Sequence, residues 1–229
     1  MRKIDARPEP QSMVTLRRQG ASYPELGSDS SIRRTLWEQQ GRRCAYCERV
    51  LLDPDLPNHN TRIEHFHPQS SDCWGAECER ASHSGSHEKA AVSWGNLLLC
   101  CDGNERAGQD FTCDKSKSDI DICERFRNPR DWPTEQLVYV ERDGRVVPLS
   151  GLPAEAEVVL NGVMNLNAEG LVRARKTVLS ALKKEIAERQ KRSRGLTAQQ
   201  KTAMASRLRQ DAKVREFGAC FLAVASRLS

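Results

Sequence analysis

Two groups of residues in this chain have the types and spacings that metal and proton chemistry require. The first group is thiol. Cys44-Ala45-Tyr46-Cys47 is a C-x-x-C, Cys100 and Cys101 stand side by side, and Cys113 follows twelve residues after the pair. Clustered thiolates suit a tetrahedral zinc ion, which takes four such ligands when it is structural. Strand-like alternation makes it hard for both Cys100 and Cys101 to reach one ion. The second group pairs an acid with a base, in Arg62-Ile63-Glu64-His65-Phe66-His67-Pro68. Imidazole titrates near pH 6.5 and can take a proton from water at neutral pH. Carboxylates suit a hard cation such as Mg²⁺, which keeps several waters and takes one or two protein oxygens. Neighbours in a strand point to opposite faces, so Glu64 and His65 need a turn or bulge to share one site.

The order matters as much as the residues. C-x-x-C is followed by E-H-x-x-P, then Asn96-Leu97-Leu98, a cysteine, and Cys113-Asp114 with Lys117 three residues on. Over about residues 30–120 this resembles the HNH endonuclease superfamily. The strings CAYCE, IEHFHPQS and Val163-Met164-Asn165-Leu166-Asn167, before a basic helical tail, are similar to the HNH subunits of Septu-type and retron-associated antiphage systems. The resemblance implies an α+β protein with a ββα-metal nuclease core braced by structural zinc, and a mainly helical C-terminal region. It implies His65 as general base, Glu64 and Asp114 as ligands of a catalytic Mg²⁺ or Mn²⁺, and Asn96 holding the base-bearing loop by hydrogen bonds to backbone. Asp114 stands where the family usually has Asn or His, and Asn104 is the alternative. Lys117 would support the helix start or touch phosphate. The zinc ligands would be Cys44, Cys47, Cys101 and Cys113, with Cys101 preferred over Cys100 because relatives carry the cysteine five residues after the asparagine. The implied activity is hydrolysis of phosphodiester bonds in DNA or in RNA such as tRNA, as an antiphage effector in a hetero-oligomer with an ATPase. The rival class is a non-catalytic zinc module that binds nucleic acid or a protein partner. A nuclease acting without an ATPase is a further alternative.

Other residues invite metal readings too. Cys73, Cys78, His83 and His87 have the spacing of a second zinc site, in an insert that is otherwise loop-like. His67 reads as structural or phosphate-facing, and Cys123 and Cys220 as buried thiols.

These residues need elements to position them. Residues 1–30 read as an extended arm, 31–128 as the domain carrying the site, and 129–229 as a hairpin and helical region for a partner or nucleic acid. Within the middle part, 31–42 reads as a helix capped by Ser31, with Leu36 and Trp37 on its buried side. LVYVERDGRVVPL alternates around Asp143-Gly144, the pattern of a hairpin with a tight primed turn. Leu171, Ala174, Val178, Leu182 and Ile186 mark one face of a long helix that Asn167 could cap. Thr197 and Gln200 form a capping-box pattern after a break at Ser193–Gly195. Residues 171–216 hold 14 Lys/Arg against 4 Asp/Glu within a chain of net charge +5, a density able to track phosphates or to form a solvated face. No apolar run approaches the roughly 20 residues of a membrane span, and no secretory signal is visible, so a cytoplasmic location is expected.

Overall fold

The computed structural model describes residues 1–70, 74, 90–193 and 195–228. Cys73, Cys78, His83 and His87 lie outside the described residues. The chain is mixed helix and sheet, and among the described residues the strands form two separate two-stranded antiparallel sheets.

The first thirty residues are not an extended arm. They contain α1 (Gln11–Arg18) and α2 (Tyr23–Ser28). Pro10 sits at the N-cap of α1, and Ser22 with Glu25 forms a capping box on α2. Each helix buries one side chain completely, Met13 and Leu26, which is too little apolar content to leave a periodic trace in the sequence. Next, α3 (Ser30–Gln39) buries Ile32, Leu36 and Trp37. Its cap is Asp29 rather than Ser31. The Asp29 carboxylate accepts the Ile32 N–H at 3.0 Å, and the Ser31 hydroxyl donates to that same carboxylate.

The first sheet pairs β1 (Thr61–His65) with β2 (Leu97–Cys101), with Thr61 opposite Cys101 and His65 opposite Leu97. All five β2 residues are buried, so the sheet is covered on both faces and β2 reads as a continuous apolar run rather than an alternation. The short helix α4 (Cys113–Lys117) packs against β2.

The second sheet is the hairpin of β3 (Val138–Val140) and β4 (Val146–Pro148). Its turn is one residue longer than a tight primed turn. Gly144 N–H donates to Glu141 O at 3.1 Å, Glu141 N–H donates to Arg145 O at 2.9 Å, and Gly144 adopts φ +87°. That is a type I turn closed by a left-handed glycine, and the left-handed residue supplies the strand twist. Helix α5 (Ala156–Val158) continues as a π turn over Val159–Val163.

The C-terminal part is helical: α6 (Glu169–Arg192), α7 (Ala198–Val214) and α8 (Gly218–Ser226). Thr197 and Gln200 form the capping box of α7. Asn167 does not cap α6, whose N-cap is Ala168. Its amide exchanges hydrogen bonds with both the N–H and C=O of Val146, at 2.8 and 2.9 Å, and so ties the hairpin to the α6 entry. One connected core runs from Met1 to Ala225, with residues from all three stretches of the chain.

Candidate functional site

The four cysteines come together from three places. Cys44 and Cys47 lie on a tight loop after α3, Cys101 ends β2, and Cys113 begins α4. The loop is docked on β2 through backbone. Ala45 N–H donates to Leu99 O at 3.0 Å, while the Gln40 amide bonds both the N–H and C=O of Leu99. Cys113 has φ +57°, and its N–H donates to Met164 O at 2.8 Å. The Asn165 amide reaches Phe111 O, so the Val163–Asn167 motif anchors the chain entering α4. The four thiols are buried, with ligand atoms all within 4.8 Å of one another. Three Sγ···Sγ separations are 3.8 Å. A tetrahedron with metal–sulfur bonds of about 2.3 Å has edges of about 3.8 Å, so the group can hold a metal ion. Cys100 lies outside this quartet.

The second site is built on the outer edge of β1. Alternate β1 carbonyls point away from β2, and each receives a side chain: Arg33 at Thr61 O (3.1 Å), Tyr23 at Ile63 O (3.3 Å) and Lys117 at His65 O (3.0 Å). A polar cleft of about 480 Å³ runs along this edge, lined by Glu64, His65, Asp114, Arg62, Tyr23 and Lys117 among others. The ladder is regular through His65 with no bulge. Glu64 and His65 both line the cleft because it follows the open strand edge, which both faces can reach.

His65 is 5% exposed. Its Nε2 lies 2.9 Å from Ala91 O. A carbonyl only accepts, so Nε2 carries the hydrogen and Nδ1 keeps its lone pair. The Tyr23 ring meets the imidazole edge-on at 4.5 Å. Burial pulls the His65 pKa down to about 4, against the opposing pull of the Ala91 carbonyl, so the ring is neutral at pH 7.

Glu64 is buried, with Oε1 accepting from Tyr46 Oη at 2.8 Å and lying 2.9 Å from Lys117 Nζ. Burial pushes its pKa well up and the neighbouring Asp114 carboxyl pushes it further, while Lys117 opposes both. Arg62 Nε stands 3.3 Å from Asp114 Oδ2. Two carboxyl groups in contact beside a polar cleft are a hard-oxygen donor set that a divalent cation would relieve of repulsion.

Asn96 holds the chain that leaves β1. Its Oδ1 accepts His67 N–H at 2.8 Å, and its Nδ2 donates to His67 O and Ala90 O, each at 2.9 Å. Asn104 is turned elsewhere, bonded to Arg49 and Asp110 O. Lys117 is 1% exposed and spends its ammonium on Glu64 and His65 O, so it positions the site and does not face a phosphate. Sequence reasoning missed Tyr23, Arg33, Arg62 and Tyr46. Arg62 and Tyr46 lie inside the motifs themselves, whereas Tyr23 and Arg33 carry no local signal.

No protein-family model matches the chain, and no curated protein is significantly similar to it. Among the described residues, no helix is long and apolar enough to cross a membrane.

Proposed function

We propose that this chain is a metal-dependent endonuclease of the HNH type that hydrolyses phosphodiester bonds in DNA or RNA. One observation carries the reading. The His65 imidazole has Nε2 bonded to Ala91 O at 2.9 Å, in a cleft shared with the Glu64 and Asp114 carboxyl groups. The succession of β1, β2 and α4 around Glu64, His65, Asn96 and Asp114 supports a ββα-metal core. The tetrahedral edges of the cysteine quartet support structural zinc on Cys44, Cys47, Cys101 and Cys113.

Each group then has a task. Nδ1 of His65 takes a proton from water, whose oxygen attacks phosphorus as the P–O bond to the leaving oxygen breaks. The leaving oxygen collects its proton from solvent. Glu64 and Asp114 would hold Mg²⁺ or Mn²⁺, which supplies charge neutralisation on the phosphoryl and leaving oxygens. Arg62 and Lys115 line the same cleft and draw the phosphate backbone toward it. Asn96 and Lys117 keep the histidine in place through the backbone of His67 and His65. A role as an antiphage effector beside an ATPase rests on the sequence resemblance.

The test is cleavage of plasmid and of tRNA with Mg²⁺ or Mn²⁺, with and without the ATPase. His65→Ala should lower the rate by at least about 100-fold, with zinc content and near-UV circular dichroism unchanged. Absence of metal-dependent cleavage in every arm would sink the proposal and leave the non-catalytic zinc module as the better reading.

A further inference from the structure

We propose that His67, Asp121 and Cys123 form a second metal site, distinct from the cysteine quartet, that takes a transition-metal dication of the zinc class. One ligand atom from each of the three lies within 4.8 Å of the others. His67 Nδ1 is 3.7 Å from Asp121 Oδ1, and Cys123 Sγ is 3.8 Å from Asp121 Oδ2. Tetrahedral zinc with nitrogen or oxygen at about 2.0–2.2 Å and sulfur at about 2.3 Å has ligand–ligand edges of roughly 3.3–3.8 Å. Edges between nitrogen and oxygen come to about 3.3–3.6 Å and those between sulfur and oxygen to about 3.5–3.7 Å, so both observed separations, made to the two oxygens of Asp121, are slightly long and an inward shift is needed to close the shell.

The donor set selects the ion. A thiolate excludes Mg²⁺ and Ca²⁺ as natural occupants, and imidazole with carboxylate and thiolate suits Zn²⁺. The Asp121 side chain is 4% exposed and that of His67 14%, so an ion between them would be largely shielded from bulk water.

The ligands are held by independent parts of the fold. Asn96 grips the backbone of His67 on both sides. Asp121 and Cys123 flank Ile122, which is fully buried, and the Cys123 N–H donates to Asp121 Oδ1 at 3.1 Å. An ion here would staple the exit of β1 to the segment after α4, two residues from His65. It needs a fourth donor beyond these three and shares no ligand with the quartet.

The experiment measures metal, not activity. Protein grown with zinc is dialysed against metal-free buffer, and zinc per chain is counted by mass spectrometry. Both His67→Ala and Cys123→Ala should lose one equivalent relative to wild type. Cys47→Ser should lose a different equivalent, leaving the one held by His67. If either of the first two variants fails to fold, zinc X-ray absorption on the wild-type chain decides: the site requires nitrogen and oxygen in the averaged shell. A shell of sulfur alone, or unchanged zinc in both His67→Ala and Cys123→Ala, would overturn it and leave a hydrogen-bonded cluster. Neither result bears on whether His65→Ala abolishes cleavage.

Discussion

Lys117 and Glu64 form an ion pair that is almost wholly removed from water, at 1% and 3% exposure. Such a pair gains little over an apolar substitute, but removing one member strands the other. Lys117→Met should therefore cost about 3–5 kcal/mol in urea unfolding, and adding Glu64→Gln should restore part of the loss because the stranded charge is gone. A cost under about 1 kcal/mol would mean that the pair is dispensable. At this scale the sequence was readable where chemistry and spacing coincide. The cysteine quartet and the adjacent Glu64 and His65 stand in short motifs. The partners of His65 do not: Tyr23 reaches it from forty-two residues upstream and Ala91 from twenty-six downstream, contacts that only the folded chain creates. Cys123 looked like an ordinary buried thiol because its neighbour His67 lies fifty-six residues away.

Among the elements, the hairpin shows how a local pattern can be right in kind and short by one residue. Asp143-Gly144 marks the turn, yet the left-handed glycine closes a three-residue loop because α6 packs against it. A Cβ on Gly144 would lie 2.6 Å from Val172 O, and φ is +87°. Gly144→Ala therefore suffers both backbone strain and a clash with backbone. It should cost at least about 1 kcal/mol, a fall of about 2–4 °C in Tm for a chain of this length. An unchanged Tm would mean that the hairpin can swing away from α6. The α7 capping box was legible because four consecutive residues define it. Helices α1 and α2 were not, since each is held by one buried side chain and by docking on α3. The apolar face expected on α6 omitted its most informative member. Arg175 is buried and donates to Gly144 O and Leu166 O at 2.7 and 2.6 Å, so one of the fourteen cations of the basic stretch is an internal strut.

Across the whole molecule, Glu48 joins parts of the chain that sequence distance separates. It is buried, accepts from Arg2 Nε at 2.9 Å and from Ala219 N–H at 2.8 Å, and lies 3.8 Å from the Met1 ammonium. Burial works against its charge, but the Met1 ammonium, Arg2 and the Ala219 N–H outweigh it and leave its pKa below the ordinary glutamate value. A depressed carboxylate contributes stability above its unfolded pKa of about 4.3 and loses that contribution as pH falls through the folded value. Unfolding free energy measured from pH 7 down to pH 3 should therefore fall less steeply for Glu48→Gln than for wild type, and parallel curves would refute the assignment. The open edge of β1 has a consequence at this scale as well. Unpaired strand edges are where chains aggregate or recruit a partner's strand. Arg33, Tyr23 and Lys117 already occupy the carbonyls that an incoming strand would need. An incoming strand is therefore blocked at this edge, and the same three residues that frame the cleft also protect the protein from stacking on itself there.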